Sequence, residues 1–167
     1  MTSSQKIARF LGKYSPPIAS QLRAARRHLK AFMPRGFELV YDNYNALAFG
    51  FSPSSRPSDA VLSIVGYPKW ITLFFLRGAG LPDPDALLEG SGSRVRSIRL
   101  SSAKDILSSE VRALVRTALE RASPPFSSAP KMSTVVRSVS IKQRPRRPTG
   151  VRKQIERKRK SKREADA

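Results

Sequence analysis

The sequence predicts an α+β fold in which N-terminal and C-terminal helices pack on one face of an antiparallel sheet of about five strands. The first indication is residues 70–76, which are apolar on both alternating faces except at Thr72, a pattern typical of a strand at the centre of a sheet. The second is that strand-like segments follow one another without an intervening helix, which favours antiparallel pairing. The third is the amphipathic helical pattern that flanks these segments.

Two amphipathic helices are predicted before the sheet. The first, in residues 4–14, places its apolar side chains on one face: Ile7, Phe10, Leu11 and Tyr14. The second begins after Ser15, a natural N-cap, because Pro16 is compatible with a first helical turn, and it ends before Pro34. Its apolar stripe recurs every three or four residues: Ile18, Leu22, Ala25, Leu29 and Phe32.

The strands are predicted from alternating side chains. The first is expected to be half exposed, with Phe37, Leu39 and Tyr41 on one face and Glu38, Val40 and Asp42 on the other. Further strands are predicted in residues 46–51, 60–65, 70–76 and 95–100, and the short link at 66–69 indicates a hairpin. A helix capped by Ser108 or Ser109 follows, with an apolar stripe that runs to Leu119.

The chain is therefore divided into an α+β domain, residues 1–123, and a basic low-complexity tail, residues 124–167. Apolar periodicity largely disappears after Ser123, so the tail is expected to be mostly disordered. Transient helix is expected in residues 151–164, where Arg152, Glu156 and Lys160 lie at i, i+4 spacing.

Charge is the strongest bulk feature of the chain. It carries 32 lysine and arginine residues against 12 acidic ones, a net charge of +20. The residues after Ser123 include fourteen of the basic residues and only three of the acidic ones. This balance predicts a polyanionic partner such as nucleic acid, although basicity that only maintains solubility is the alternative. The candidate phosphate-binding residues of the tail are Lys142, Arg144, Arg146, Arg147, Arg152, Lys153, Arg157, Lys158, Arg159, Lys160, Lys162 and Arg163. No aromatic residue follows Phe126, so base stacking by the tail is not expected.

A second candidate site lies at the end of the first strand. Tyr41, Asp42, Asn43, Tyr44 and Asn45 combine two phenols, two amides and a carboxylate that can line a concave ligand site. The residues predicted near its rim are Lys69, Trp70, Arg77 and Arg96. The alternative is structural, with a turn at the Asp-Asn pair and tyrosines that pack.

Several function classes are disfavoured. The chain has no cysteine, which excludes disulfides, thiolate metal sites and thiol nucleophiles. The single histidine, His28, has no serine or aspartate partner recognisable by spacing, and no glycine-rich loop precedes a helix in a βαβ context. The sequence therefore predicts a protein that is not an enzyme and has no cofactor or metal site. Its N-terminus is too polar for a signal peptide, and no apolar run approaches a membrane span, so a cytoplasmic location is expected.

The segment pattern resembles the YdhG-like family, a family of domains of unknown function. The resemblance covers residues 7–121 and depends on residues 41–45, Tyr67-Pro68, residues 81–84 and residues 87–92, followed by Arg96 and Ile98. It implies a frataxin-like fold, a curved antiparallel sheet with helices on one face, and it brings the precedent of an intracellular iron chaperone.

The preferred interpretation is a binding module of this class whose tail contacts nucleic acid nonspecifically. The alternative is a small-molecule or iron carrier that uses the open face of the sheet.

Overall fold

The protein is described by a computed structural model that covers residues 1–148 and 150–165, without the side chains of residues 150–156. Ten helices and strands occur in these residues, in the order α1 Ser3–Leu11, α2 Pro16–Lys30, β1 Phe37–Asp42, β2 Leu47–Ser52, β3 Leu62–Gly66, β4 Ile71–Phe75, β5 Arg96–Leu100, α3 Ser109–Glu120, β6 Ser133–Val139 and α4 Gly150–Ala165. Short 3-10 helices lie at Pro57–Asp59, Ala103–Leu107 and Phe126–Ser128. The predicted α+β class is confirmed.

The six strands form one mixed sheet in the order β5-β4-β3-β2-β1-β6. All neighbours are antiparallel except β1 and β6, which are parallel. The prediction of about five purely antiparallel strands is therefore wrong at one edge, because the chain returns after α3 and adds β6 beside β1. Strand β4 is an interior strand and forms the expected hairpin with β3, although β3 and β2 are the middle pair of the sheet.

The core lies between one face of the sheet and helices α1, α2 and α3. Large apolar side chains of β2, β3 and β4, among them Phe49, Ile64 and Leu73, join the buried stripes of the helices in a single apolar cluster. Leu22 and Leu29 of α2 are fully buried there, as the spacing of the stripe predicts. Ser108 caps α3 by accepting a hydrogen bond from the Val111 amide at 3.3 Å. The helical layer therefore fixes which side chains of each strand point inward.

The tail is ordered against the domain well beyond Ser123. Strand β6 pairs with β1 from Phe37↔Ser133 to Asp42↔Val139, with a bulge between Val40 and Tyr41. The expectation of a mostly disordered tail is wrong for this segment, because the backbone groups of β1 supply a partner that local sequence pattern does not reveal. The basic residues 150–165 form α4, where transient helix was expected.

Gly36 is the point at which the tail joins the sheet. Its amide donates to the Pro130 carbonyl at 2.8 Å, and its carbonyl accepts from the Ser133 amide at 3.2 Å. Its φ is +122°, and a Cβ at this position would lie 2.7 Å from the Ser52 carbonyl oxygen. Only glycine fits this conformation and this spacing without strain.

Candidate functional site

Strand β1 carries two buried carboxylates on the face that meets the helices. Glu38 and Asp42 are fully buried and flank Val40, which belongs to the apolar core. The two faces of this strand were assigned correctly, but the more polar face is turned inward. The strand is also not half exposed as predicted, because Leu39 on the other face is fully buried. Each carboxylate therefore needs cationic partners inside the fold.

Glu38 is neutralised from helix α2. Arg26 donates two hydrogen bonds to it, of 2.9 and 2.7 Å, and Lys30 Nζ lies 3.0 Å from Oε1. Thr134 of β6 donates a further hydrogen bond of 2.9 Å. Burial alone would raise the pKa of Glu38, but the hydrogen bonds and charges of Arg26 and Lys30 outweigh it and hold the pKa below its ordinary value of 4.5. This carboxylate links α2, β1 and the tail.

Asp42 is neutralised mainly by residues outside the sheet. Lys13 Nζ donates to Oδ2 at 2.6 Å, Gln143 Nε2 donates to the same oxygen at 2.9 Å, and Arg146 Nη2 lies 2.9 Å from Oδ1. The contact between Arg146 Nη2 and Asp42 Oδ1 lacks hydrogen-bond geometry, so Asp42 Oδ1 has no hydrogen-bond partner among the described residues. Arg146 Nε has none there either. Burial would raise the pKa of Asp42, but these donors and the Arg146 charge lower it below its ordinary value of 3.8.

Arg146 is the buried anchor of the tail, with 2% of its surface exposed. Its Nη1 donates to the Tyr14 hydroxyl at 3.0 Å, and its Nη2 donates to the Asn43 carbonyl. The same hydroxyl donates to the Gly66 carbonyl at 2.6 Å and accepts from the Leu47 amide at 2.9 Å. Burial raises the pKa of Tyr14, and the Arg146 charge only partly opposes this. Arg146 is therefore not available to phosphate, contrary to its place among the predicted nucleic-acid contacts.

The predicted ligand cluster at residues 41–45 is divided between the two faces and the turn. Tyr41 is half-buried and points away from the helices, opposite to Asp42. The turn after β1 exposes Asn43, Tyr44 and Asn45. It is closed by a hydrogen bond of 2.9 Å that the Asn43 amide donates to the Ala46 carbonyl. A turn is therefore present, as the structural alternative expected, but it closes from Asn43 to Ala46, and Tyr44 is 50% exposed where that alternative expected it to pack.

The predicted rim residues separate into two groups. The strand register places Thr72 level with Tyr41 across the sheet. Lys69 and Trp70 shortly precede Thr72, so they lie at the same end of the sheet as the 41–45 turn. Arg77 and Arg96 are at the opposite end. Arg77 donates to the Ser58 and Ser123 carbonyls, at 3.2 and 3.4 Å. Arg96 pairs with Phe75 and donates to the Gly92 and Val95 carbonyls, at 2.6 and 2.8 Å.

Trp70 has two partners that the sequence did not assign to a site. Tyr67 stacks on Trp70 with ring centroids 5.2 Å apart and an interplanar angle of 29°. The Arg99 guanidinium lies 4.2 Å from the centroid of the Trp70 ring. Residue 99 could be placed there only by knowing the register of β5 against β4, which pairs Thr72 with Arg99.

The remaining basic candidates of the tail differ in availability. Lys142, Arg144 and Arg147 are exposed, and Arg147 also donates to the Gly12 carbonyl at 3.2 Å. The cations of the second half of α4 are all exposed, namely Arg157, Lys158, Arg159, Lys160, Lys162 and Arg163. The predicted contacts at Arg152 and Lys153 lie outside the described side chains.

A surface groove of about 630 Å³ lies between α2 and the 3-10 helix at Ala103–Leu107. His28, Ser102, Asp105 and Ser108 line it. Burial and the neighbouring Arg27 lower the pKa of His28. His28 makes no hydrogen bond to the serines or to Asp105 in the described structure, and Asp105 accepts from Ser101 and from the Ser102 amide as a helix cap. These residues are therefore not connected as a hydrogen-bonded triad.

The described residues contain no group of three or more histidine, aspartate and glutamate side chains that could hold a metal ion. None of the helices in the described part of the chain is long and apolar enough to cross a membrane.

Comparisons of the chain with protein-family models, curated proteins and solved structures found no match. The resemblance to the YdhG-like family and to the frataxin-like fold therefore stays a prediction.

Proposed function

We propose that the protein is a non-enzymatic binding module that contacts nucleic acid nonspecifically, with α4 as its main phosphate-binding element. The observation that carries this proposal is the run of six exposed cations between Arg157 and Arg163. Lysine and arginine bind phosphates without reading sequence, and the released counterions supply most of the free energy.

The spacing of these cations supports a duplex or single-stranded polyanion over a single small anion. At a rise of about 1.5 Å per residue, residues 157–163 span about 9 Å of helix, which gives about one positive charge per 1.5 Å. Double-stranded DNA carries about one negative charge per 1.7 Å of axis. The α4 charge density therefore matches that of a nucleic acid, although the cations surround the helix and only some of them can face one partner.

The acidic residues of α4 do not cancel this charge. Gly150–Ala165 contains eight lysine and arginine residues and two glutamates. Lys142 and Arg144, which precede the helix and are exposed, add cations on the domain side. Arg146 is excluded from this set because its charge is used inside the fold.

The test is the salt dependence of duplex binding by two matched four-residue variants. The first replaces Lys158, Arg159, Lys162 and Arg163 of α4 by glutamine, a good helix former. The control replaces the exposed residues Arg23, Arg27, Arg112 and Arg116 of α2 and α3 by glutamine, so both variants lose the same formal charge. Affinity for a short DNA duplex is measured by fluorescence anisotropy at several salt concentrations.

If all four α4 residues contact phosphates, the slope of log affinity against log salt becomes shallower by about 3.6, since each contact contributes about 0.9. The control variant is expected to keep the wild-type slope. Equal slopes and affinities for the two variants would show that only bulk charge matters and would remove α4 from the proposal. The carrier alternative, in which the open sheet face binds a metal or small molecule, stays a prediction.

A further inference from the structure

The stack formed by Tyr67, Trp70 and Arg99, here called the aromatic stack, is built into the sheet. The Tyr67 amide donates to the Trp70 carbonyl at 2.9 Å and closes the β3–β4 hairpin. Arg99 is paired with Thr72, so its side chain and that of Trp70 are diagonal neighbours on the same face. The two rings and the guanidinium are therefore held by backbone hydrogen bonds of three strands and their hairpin.

The aromatic stack contributes nothing to the apolar core. Neither Tyr67 nor Trp70 belongs to the core cluster or to the partly buried side chains packed against it. Both rings are partly exposed, and Arg99 is exposed. A large, partly exposed tryptophan next to a tyrosine and an arginine is an arrangement on which unpaired bases stack.

The charges around the aromatic stack also favour a nucleic acid. Lys69, at the hairpin tip, and Arg99 are exposed, and neither forms a salt bridge with a carboxylate among the described residues. Arg144, whose amide donates to the Tyr44 carbonyl at 2.7 Å, lies at the same end of the sheet. The buried Asp42 at this end is already neutralised, and Asp105, which follows β5, accepts hydrogen bonds from Ser101 and Ser102.

We propose that the aromatic stack of Tyr67, Trp70 and Arg99 binds an unpaired base of a single-stranded nucleic acid, with Lys69 placed for an adjoining phosphate. The base extends the existing stack by one ring, and any base can do so because each has a π face. This inference rests on the proposed function and names its ligand class: α4 holds phosphates of any nucleic acid, whereas the aromatic stack distinguishes unpaired strands from duplex.

Trp70 is the only tryptophan of the chain, so its fluorescence reports on this site alone. The experiment titrates the full-length protein with a short oligothymidine, an abasic oligomer of the same length and a DNA duplex. We expect the oligothymidine to quench the fluorescence of Trp70 and the abasic oligomer to leave it unchanged, because only the former carries a base to stack. Quenching of equal size by the abasic oligomer would overturn the inference.

Variants test the same contact by affinity. Trp70→Ala is expected to weaken oligothymidine binding by about 5- to 150-fold, the loss of one base stack, and Trp70→Phe to retain most of the affinity. Tyr67→Ala and Arg99→Gln keep the fluorophore, and we expect both to weaken the quenching. They decide the question even if Trp70→Ala does not fold. Tyr44→Ala removes an aromatic side chain that is 50% exposed at the same end of the sheet but outside the stack, and it is the matched control.

The outcomes separate the two proposals. If Tyr67→Ala and Arg99→Gln bind and respond like the wild type while the four-residue α4 variant loses its salt slope, the aromatic stack is not a base site and the polyanion function stands. If the α4 variant behaves like its control but oligothymidine still quenches Trp70, the α4 proposal fails and the stack remains a base site.

Discussion

Replacing Arg146 by methionine tests whether the tail is anchored by a buried ion pair. Methionine keeps much of the apolar length that packs near the Tyr14 ring, from whose centroid the guanidinium lies 5.4 Å away. It removes the charge next to Asp42 Oδ1 and the hydrogen bonds to the Tyr14 hydroxyl and the Asn43 carbonyl. We expect Arg146→Met to destabilise the whole fold, because Asp42 is fully buried.

The magnitude follows from what remains around Asp42. Breaking a buried ion pair by removing one partner costs about 3–5 kcal/mol, since the other charge stays uncompensated. Lys13 and Gln143 still donate to Asp42 after the substitution, so the lower end of the range, about 3 kcal/mol, is expected. For a chain of this length that corresponds to a fall in Tm of about 6–12 °C.

The assay is urea unfolding followed by the fluorescence of Trp70, with Arg147→Met as the matched control. Arg147 is the adjacent arginine, but it is exposed and makes one hydrogen bond, to the Gly12 carbonyl at 3.2 Å. Its replacement should change the free energy of unfolding by no more than about 0.5 kcal/mol. If the two variants agree within that margin, the reasoning about the buried ion pair is refuted.

A double-mutant cycle isolates the pair from other effects of the substitution. Asp42→Asn alone leaves Arg146 buried without its counter-charge, whereas Asp42→Asn with Arg146→Met removes both charges. The double variant should therefore lose less free energy than the two single losses added together, with a coupling energy of about 1–3 kcal/mol. Purely additive losses would mean that the two groups do not interact.

Three further substitutions test the contacts around β1. Glu38→Gln should reduce the free energy of unfolding by about 2 kcal/mol at neutral pH. The folded-state pKa of Glu38 is lowered, so the extra free energy of unfolding of the wild type over Glu38→Gln is fully present above pH 4.5 and is lost as the pH falls through the folded-state pKa. If the difference in free energy between the two proteins does not narrow in acid, this assignment is wrong. Tyr14→Phe should cost about 2 kcal/mol in urea unfolding because it leaves buried backbone groups unpaired, whereas Tyr44→Phe, at an exposed ring, should cost nothing measurable. Gly36→Ala should cost about 1–3 kcal/mol from its positive φ and the contact with the Ser52 carbonyl, and wild-type stability would show that the turn relaxes freely.

The predictable part of the fold is the part whose pattern is local. The stripes of α2 and α3, the alternation of β1 and β2 and the apolar run of β4 are patterns within single segments, and each produced the expected element. Strand β6 was missed because Ser133–Val139 lies among serines, prolines and basic residues, and the strand with which it pairs, β1, is about one hundred residues earlier in the chain. Pairing of that kind depends on a free strand edge, which no local window contains.

The candidate sites were predicted less well for the same reason. Alternation along β1 assigned Glu38 and Asp42 to one face correctly, but the identity of the buried face depended on cations from α2, Lys13 and the tail. Trp70 was singled out, yet its partner Arg99 is contributed by another strand through register. Arg77 and Arg96 were placed with it on chemical grounds, but Arg77 follows the far end of β4 and Arg96 pairs with Phe75 at that same end.

Arginines that are close in sequence are exposed in one case and buried in another in this protein. A count of basic residues therefore does not show which of them can bind a polyanion. Arg144 and Arg147 are exposed, whereas Arg146 between them is buried against Asp42. The buried ion pair fixes the chain just before α4, since Arg146 and Gly150 are four residues apart and thus at most about 14 Å from each other. A cationic helix that follows such an anchor stays within reach of the folded domain. Loss of the Arg146 anchor should therefore lower stability while the exposed charges of α4 stay intact, so that duplex affinity and folding free energy respond to different residues of the same basic tail.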